Sequence, residues 1–433
     1  MSFTVENVRC YRDEASLSLL ATRTAEKGAV RHLSVAGSKR TVAVLAVAGV
    51  FGANASGKTA ILEALDDMRV VVVGSLHHRA SPGSPIFRRP FLLDDKSRRR
   101  ASRFEVELVI GGVRWQYGFE IDEHRVLGEY AYHYPRGRQA KVFHRDGSDI
   151  EFGPPFRSEG KTLRRLLRDN VLLLSIAGAF QAENLVDLYS WFDSALQYAS
   201  STNRTERAEI TAGLVESAGK KNRILGLLRY ADLGVTNIRR KPTPPEILEK
   251  FKQIFHAMDE EDDNDDVIHE RRFSVPSRIA LEHSTAAGGT EIPPEDESLG
   301  TRIWLALIGP VLQTLEKGGL LLVDELDASL HPQLVQRVIG FFQDKRTNPR
   351  CAQLIFNSHD TNILGDSDKR SIGRDQVWFT EKTPDGAACL YSLTDFRPRH
   401  DDAIERRYLQ GRYGAVSSFN PSEVERSLVA TDT

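Results

Sequence analysis

The sequence predicts an α/β fold with a mixed sheet and a helical insertion. Residues 42–50 form an apolar run typical of a buried strand, and they lead through a glycine-rich loop into a helical pattern over 58–68. A second apolar run, Leu320–Val323, ends in two acids. Between these two runs, leucines recur at helical spacing over a long segment that begins near residue 160. An open sheet with an inserted helical region is the architecture that accounts for all three features.

The composition excludes several classes of protein. The 433 residues carry 58 Lys plus Arg against 60 Asp plus Glu, so the net charge of −2 argues against a surface that is basic throughout. Hydrophobic residues make up 40% of the chain, enough to fill a core. Cys10, Cys351 and Cys389 lie far apart in sequence, which indicates neither a disulfide framework nor a zinc site. The polar N-terminus and the absence of a long apolar stretch in the sequence predict a cytoplasmic protein without a membrane partner.

The pattern of elements divides the chain into three parts. We expect a first lobe over 1–155, a helical insertion with its own small core over 156–282, and a second lobe over 283–433. The expected elements include short strands over 3–20, a hairpin around Gly111-Gly112, helices over 301–315 and 332–342, a strand over 353–357 and a final hairpin over 376–393. The segment 81–103 and the acidic run 259–266 are interpreted as solvated loops rather than as binding sites.

The glycine-rich loop carries the strongest chemical signal. It matches the pattern GxxxxGK[ST] between a strand and a helix, the context in which successive backbone N–H groups enclose a phosphate. The lysine of the motif would reach the β- and γ-phosphates, and its hydroxyl residue would coordinate Mg²⁺. The predicted nucleotide-binding residues are Gly52, Asn54, Ala55, Ser56, Gly57, Lys58 and Thr59.

The two acids after Leu320–Val323 predict the hydrolytic part of the site. Asp324 would hold Mg²⁺ together with Thr59, and Glu325 would polarise the attacking water. An Asp-Glu pair alone is weak evidence for a hydrolytic site, but the presence of a phosphate loop upstream strengthens this assignment. A Glu after the metal-binding Asp and the absence of an NKxD motif favour ATP over GTP.

Two further motifs suggest a site shared between two copies of the chain. Ser298 and Gly300 begin a predicted helix, where Ser298 is either a simple N-cap or a contact to phosphate. Such a helix start is placed to face the phosphate loop of a second copy, in a head-to-tail dimer. His359 follows the strand 353–357 and is either a surface residue or a sensor of the γ-phosphate. Asp327, Ser329 and His331 are candidates for signalling across the dimer.

These motifs, in this order, resemble the ABC-type ATPase heads of the SMC, RecF and OLD superfamily within the AAA-type ATPases. The likeness is nearer to the stand-alone ATPases of the RloA/AbiLi type, and it covers nearly the whole chain. The stretches that carry it are VRCYRDEASLSLLA, GANASGKT, LLRYADLGV, ESLGTR, LLLVDELDASLHP, IFNSHDTNIL, RDQVWFTEK and YLQGRYGAV. Ser417 stands near the position where such families usually have a proline.

The resemblance implies an anti-phage or abortive-infection ATPase that uses ATP and Mg²⁺. It also implies the roles given above for Lys58, Glu325 and His359 in catalysis. The implied partners are a second copy or a higher homo-oligomer and an effector, a nuclease or toxin, encoded nearby. Gln181 is a candidate for the glutamine that links nucleotide to the helical region, and the stretch 7–11 resembles a strand and turn near the nucleotide, although a simple sheet edge is an equal interpretation.

Two other functions stay open at this point. A DNA-repair ATPase of the RecF kind would bind DNA, and Arg98, Arg99, Arg100 and Arg103 could contact its phosphates, although a solvated loop explains them as well. The ATPase subunit of a transporter ranks last because of the long insertion. Since 74 residues follow His359, fewer than a fused OLD-type nuclease domain needs, we expect any cutting activity to come from a partner.

Overall fold

The computed structural model describes residues 1–23, 25–26, 28–76, 84–231, 233–241, 278–285, 288–365 and 371–416. The acidic run 259–266 and Ser417 lie outside these residues. The strands are β1 Ser2–Glu6, β2 Ala15–Ser18, β3 Val30–Leu33, β4 Val42–Leu45, β5 Val47–Gly52, β6 Ser102–Ile110, β7 Val113–Ile121, β8 Val126–His133, β9 Ala140–Asp146, β10 Asp149–Phe152, β11 Leu196–Ala199, β12 Val235–Lys241, β13 Arg278–Thr285, β14 Gly288–Ile292, β15 Leu320–Val323, β16 Gln353–Asn357, β17 Val377–Lys382 and β18 Ala388–Ser392.

Many of the α-helices lie in the middle of the chain, and α-helices alternate with strands again from 299 to 357. They are α1 Lys58–Gly74, α2 Asp95–Arg99, α3 Arg157–Arg164, α4 Leu173–Ala179, α5 Val186–Ser190, α6 Arg204–Val215, α7 Ala218–Tyr230, α8 Leu299–Lys317, α9 Pro332–Gln343 and α10 Ile404–Leu409. Within the described ranges, no helix combines the length and apolar composition that a membrane crossing requires.

Two large sheets organise the described part of the chain. One has seven antiparallel strands in the order β10-β9-β8-β7-β6-β1-β2, and the other has six in the order β11-β15-β16-β5-β17-β18. In the six-stranded sheet, β18 alone pairs antiparallel. The strands β12-β13-β14 form a smaller sheet, and β3 pairs with β4. The predicted α/β class with a mixed sheet is confirmed.

The six-stranded sheet is covered on both faces, which explains why its central strands are apolar throughout. Val50 and Leu322 belong to a core that α1 shares with the seven-stranded sheet. Leu321 and Val323, which point the other way, belong to a second core with α8 and α9. Because side chains alternate between the two faces of each strand, the same short strands contribute residues to both cores.

The apolar run 42–50 does not form the single strand that the sequence predicts. Its first half is β4, which pairs antiparallel with β3, and its second half is β5, in the middle of the six-stranded sheet. The break falls at Ala46, whose carbonyl accepts a hydrogen bond from Leu354 N at 2.9 Å. Both halves are apolar, so an apolar pattern alone does not reveal that they lie in different sheets.

The segment predicted as a helical insertion contributes to both cores. It contains α3 to α7, and it also contains β11, which is the edge strand of the six-stranded sheet beside β15. Leu188 and Phe192 pack in the first core, whereas Ile224 and Leu228 pack in the second. The expectation of a separate small core is therefore wrong for the described residues, because these helices lie against the sheets. The boundaries 156–282 stay a prediction.

A buried ion pair attaches the seven-stranded sheet to α4. Glu129 in β8 and Arg145 in β9 are fully enclosed, with 3.7 Å between Arg145 Nη1 and Glu129 Oε2. The Glu129 carboxylate accepts hydrogen bonds from Leu173 N at 2.7 Å and Leu174 N at 3.0 Å, at the start of α4. Burial raises the pKa of Glu129, and Arg145 and the two N–H groups oppose that rise. The carboxylate is thus held by an opposite charge and by a helix start.

Replacing Glu129 by Ala is expected to destabilise the protein strongly, because Arg145 would remain as an unpaired buried charge. Breaking such a pair costs about 3–5 kcal/mol of the free energy of unfolding, measured by urea denaturation. Glu107→Ala is the control, since its pair with Arg114 is partly exposed and should change stability by about 1 kcal/mol or less. Equal effects of the two substitutions would contradict the structural role of the Glu129 pair.

Candidate functional site

The predicted site residues lie where three neighbouring parallel strands end. β5, β16 and β15 are adjacent in the sheet, so their carboxyl ends meet at one edge. β5 is followed by the phosphate-loop motif, β15 by Asp324 and Glu325, and β16 by the segment that contains His359. The topology therefore brings together motifs that are separated by about 300 residues of sequence.

The loop between β5 and α1 has the backbone that its glycines allow. Gly57 precedes the helix with φ of 116°, and Ala55 adopts φ of 60°. At Gly52, with φ of 157°, an added Cβ would lie 2.5 Å from the Thr380 carbonyl oxygen. Asn54 and Ala55 at the tip are exposed. An exposed loop tip that leads into the N-terminal end of a helix is the setting in which anion sites occur.

Lys58 and Ser56 are both buried within the loop. Lys58 Nζ donates hydrogen bonds to the carbonyls of Gly52 and Ala53, each at 2.9 Å. Burial lowers the pKa of Lys58, while the nearby carboxylates of Glu325, Asp327 and Asp324 act in the opposite direction. Ser56 Oγ lies 2.6 Å from Thr380 Oγ1, so its side chain fixes the loop to β17 rather than pointing towards a ligand.

The two residues predicted to hold a metal are in direct contact. Thr59 Oγ1, in the first turn of α1, donates to Asp324 Oδ1 at 2.8 Å. The contact forms although β16 lies between β5, which precedes Thr59, and β15, which precedes Asp324. Asp324 is half-buried, and its backbone N–H donates to Ala199 O at 2.8 Å on the edge strand β11. A hydroxyl and a carboxylate are oxygen ligands of the kind that Mg²⁺ prefers.

Glu325 and His359 lie on the exposed rim of the same edge. Glu325 is exposed and has φ of 52°, an uncommon conformation for a residue with a side chain. The His359 backbone N–H faces the carboxylate of Asp327, 3.3 Å from each oxygen. The imidazole of His359 is exposed. Asp327 therefore joins the loop after β15 to the loop after β16.

Ser298 and Gly300 lie at the start of α8. Ser298 caps α8: its hydroxyl accepts from Thr301 N at 3.1 Å, which is the simpler of its two predicted roles. An added Cβ on Gly300 would lie 3.1 Å from the carbonyl of Ser329, which has φ of 58°. The start of α8 thus contacts the loop after Glu325, and Ser298 itself is exposed. His331 caps α9 through Nδ1, 3.3 Å from Gln333 N.

The N-terminal stretch 7–11 borders the phosphate loop, as its resemblance suggests. The Tyr11 hydroxyl donates to Gly57 O at 3.1 Å, and Tyr11 is fully buried. Arg9 forms a two-pronged ion pair with Asp67, with distances of 2.6 and 2.9 Å, and it also contacts Glu63. Burial raises the pKa of both Asp67 and Glu63 against the effect of Arg9. This stretch therefore orients α1 behind the loop.

Gln181, the candidate for the glutamine that links nucleotide to the helical region, makes a local contact in the structure. It follows α4, has φ of 51°, and donates from Nε2 to Gly178 O at 3.1 Å. The loop that leaves β11 beside Asp324 carries Ser200, Thr202 and Asn203. This loop lies beside Asp324 because β11 pairs with β15, a pairing that the sequence did not indicate.

Sequence reasoning also missed two residues that contact the motif residues. Thr380 in β17 contacts Ser56 through its hydroxyl. Asn357, the last residue of β16, donates from Nδ2 to Asp324 Oδ1 at 2.6 Å. The only sequence signal for Asn357 is its place two residues before His359, at the end of an apolar strand.

The comparisons with known proteins show the family of the chain. The family model described as "AAA domain, putative AbiEii toxin, Type IV TA system" matches residues 47–365. Since the match spans well over half of the chain and includes the phosphate loop, the Asp-Glu strand and His359, the protein belongs to this family. The fold and family together define an AAA-type P-loop ATPase.

Solved structures with a similar chain path are Smc heads. The crystal structure of the SmcHead bound to the C-winged helix domain of ScpA is 14% identical, with a TM-score of 0.43, and the alignment covers 92% of this chain and 98% of that one. A Smc head domain with an extended coiled coil, bound to the C-terminal domain of ScpA and derived from Pyrococcus furiosus, is 14% identical, with a TM-score of 0.34 and coverage of 92% and 97%.

A Smc head domain with a coiled coil and joint, from Pyrococcus yayanosii, is 12% identical, with a TM-score of 0.34 and coverage of 95% and 99%. At these TM-scores the likeness does not bear on function. No curated protein matches the chain.

Gly52→Ala is expected to displace the phosphate loop, because the new methyl group would collide with Thr380. We expect a loss of more than about 1 kcal/mol in the free energy of unfolding together with weakened nucleotide binding. Gly340→Ala is the matched control, since its Cβ would meet nothing within 4 Å and it lies inside α9. That control should stabilise the protein slightly. Unchanged stability and nucleotide affinity in Gly52→Ala would contradict the described loop geometry.

Proposed function

We propose that the protein is an ATP-binding and ATP-hydrolysing switch. It forms a head-to-tail dimer around ATP and controls an effector, a nuclease or a toxin, in bacterial defence against phage. The observation that carries the proposal is the contact of Thr59 with Asp324 directly beside the phosphate loop. It supports the proposal because the hydroxyl and the carboxylate that are predicted to hold Mg²⁺ lie together at one sheet edge.

The residues present fit ATP and Mg²⁺. The loop backbone and the start of α1 supply N–H donors for phosphate, and Thr59 and Asp324 supply two oxygen ligands 2.8 Å apart. The Asp-Glu order at 324–325 favours ATP over GTP. Mg²⁺, when bound through Thr59 and Asp324, neutralises charge on the phosphate oxygens.

Each predicted catalytic residue has a role that its position supports. When nucleotide binds, Lys58 exchanges the carbonyls of Gly52 and Ala53 for phosphate oxygens. Its ammonium group therefore has hydrogen-bond acceptors both with and without nucleotide. Glu325, exposed at the rim, accepts a proton from the attacking water. His359 donates a hydrogen bond to the γ-phosphate from the loop after β16. In this proposal, phosphate binding, proton transfer and sensing belong to three loops that follow three neighbouring strands.

The position of Ser298 and Gly300 supports the proposed dimer. The helix start that contains these two residues contacts the loop around Ser329, which follows Glu325 in the chain. A movement of either segment would therefore affect the other. In a head-to-tail pair this helix start meets the phosphate loop of the other copy, and Asp327, Ser329 and His331 connect the two sites.

Control of an effector in phage defence rests on the family and on the resemblance of the motifs to RloA/AbiLi ATPases. The family description names a putative toxin of a type IV toxin–antitoxin system. An ATP-dependent dimer supplies two states, and an effector that binds one state better is regulated by hydrolysis.

The RecF-like alternative, in which the basic segment near 98–103 binds DNA, receives less support. Three of the four arginines in this segment are ion-paired with carboxylates, which reduces the charge available for phosphates. The pairs are Arg98 with Asp95 at 3.5 Å, Arg100 with Glu6 at 3.0 Å and Arg103 with Glu105 at 3.2 Å.

Glu325→Gln should slow ATP hydrolysis by about 100-fold or more while leaving ATP binding intact, because the amide accepts no proton from water. Light scattering should then show a dimer at saturating ATP, since closure needs nucleotide but not its cleavage. Glu120→Gln, an exposed position on β7, is the control and should behave as wild type. A Glu325→Gln protein that stays monomeric with bound ATP would contradict the dimer.

A mixture of Lys58→Ala and Ser298→Arg proteins tests the shared site. Each variant alone should be inactive, and Lys58→Ala should lose nucleotide binding. Randomly mixed dimers should regain about a quarter of the wild-type ATPase activity, because half are mixed and each mixed dimer has one intact site of two. Activity no higher than that of the separate variants would count against a site built from two copies.

A further inference from the structure

Asn357 connects the two acidic residues of the candidate site. It is the last residue of β16, between β5 and β15 in the sheet, and its side chain is almost completely buried. Its amide nitrogen donates to Asp324 Oδ1 at 2.6 Å and lies 3.3 Å from Thr59 Oγ1. Its amide oxygen accepts a hydrogen bond from the backbone N–H of Glu325. One side chain therefore contacts the predicted metal-binding pair and the backbone of Glu325, the proposed general base.

The chemistry of these partners determines how the amide is oriented. A backbone N–H can only donate, so the oxygen of Asn357 faces Glu325. The NH₂ group then faces Asp324, whose carboxylate can only accept when ionised. Neither Asp nor Leu, which have nearly the same shape as Asn, can make both contacts. This pairing of one donor and one acceptor requires an amide.

The hydrogen bond from Glu325 N–H to Asn357 is formed at a residue with a positive φ angle. Glu325 has φ of 52°, a conformation that costs about 1 kcal/mol or more for a residue with a side chain. The bond from Asn357 stabilises this turn of the chain, which directs the Glu325 side chain outwards at the sheet edge. Leu326 N also donates to Asn357 O at 3.1 Å, but this backbone contact does not depend on the side chain.

On the other side, Asn357 restrains the carboxylate of Asp324. Asp324 Oδ1 accepts from both Thr59 Oγ1 and Asn357 Nδ2, which fixes the plane of the carboxylate. Groups that orient metal ligands in this way commonly change metal affinity or activity by about 10- to 100-fold when they are removed.

We propose that Asn357 is a positioning residue that sets Asp324 for Mg²⁺ and Glu325 for water at the same time. This inference rests on the proposed ATPase function. It assigns Asn357 no contact with nucleotide and no transfer of a proton. Its effect on hydrolysis passes entirely through the two acids that it holds.

Asn357→Ala and Asn357→Asp test the proposal with two readouts. Both should lower kcat by about 10- to 100-fold, while the affinity for a fluorescent ATP analogue without Mg²⁺ stays at the wild-type value. The Mg²⁺ concentration that half-saturates Mg·ATP binding, measured in the Glu325→Gln background to prevent hydrolysis, should rise. In that background Asn357→Ala should cause no further loss of hydrolysis, because the residue acts through Glu325.

The Asp variant separates the two contacts. Asn357→Asp keeps an acceptor for Glu325 N–H but places a second carboxylate against Asp324. Repulsion between the two carboxylates displaces Asp324 further than the loss of one hydrogen bond does, so the half-saturating Mg²⁺ concentration should be higher in Asn357→Asp than in Asn357→Ala. The same half-saturating concentration in both variants would contradict the contact with Asp324.

Asn348→Ala is the matched control. Asn348 is equally buried and donates to Phe342 O at 2.7 Å and Ala352 O at 2.8 Å, away from the site. It should lower stability without changing kcat or the Mg²⁺ requirement. If the folded Asn357 variants match Asn348→Ala in kcat and Mg²⁺ dependence, the positioning role is wrong. If the wild-type protein itself neither binds nor hydrolyses ATP, the proposed function is wrong instead.

Discussion

The hydrogen bond between the Thr59 hydroxyl and Asp324 is the contact on which the rest of the site depends. It spans β16 and joins the first turn of α1 to the end of β15, so it forms only when three parallel strands stand in register. That register requires both faces of the sheet to be covered by apolar cores. The chemistry at the edge is therefore a consequence of how the two cores meet at one sheet.

The seven-stranded sheet contributes to the site from a distance. It packs with α1 in one core, and its buried pair Glu129–Arg145 holds the start of α4. α4 in turn contacts the end of α1 through Ser175, whose hydroxyl donates to Val72 O. The helix that begins at the phosphate loop is thus supported at both ends, by Arg9 and Tyr11 near its start and by α4 at its finish.

Much of the element order could be predicted because the local signals were unambiguous. The glycine pair 111–112 marked a hairpin, and α8, α9 and the strand Leu320–Val323 followed from apolar spacing and from capping residues such as Ser298. The division of 42–50 into two strands was not predictable, because both halves are equally apolar. Likewise, the place of β11 at the sheet edge depends on pairing with a strand more than 100 residues away.

The sequence by itself determined the phosphate loop, the two acids and their order, because these motifs need particular residue types at fixed spacing. Only the tertiary structure decided that Asn357 stands between Asp324 and Glu325 and that Ser56 turns towards Thr380. The physical reason is that a motif records short-range geometry. Contacts across neighbouring strands arise from sheet register, which many distant apolar residues set together.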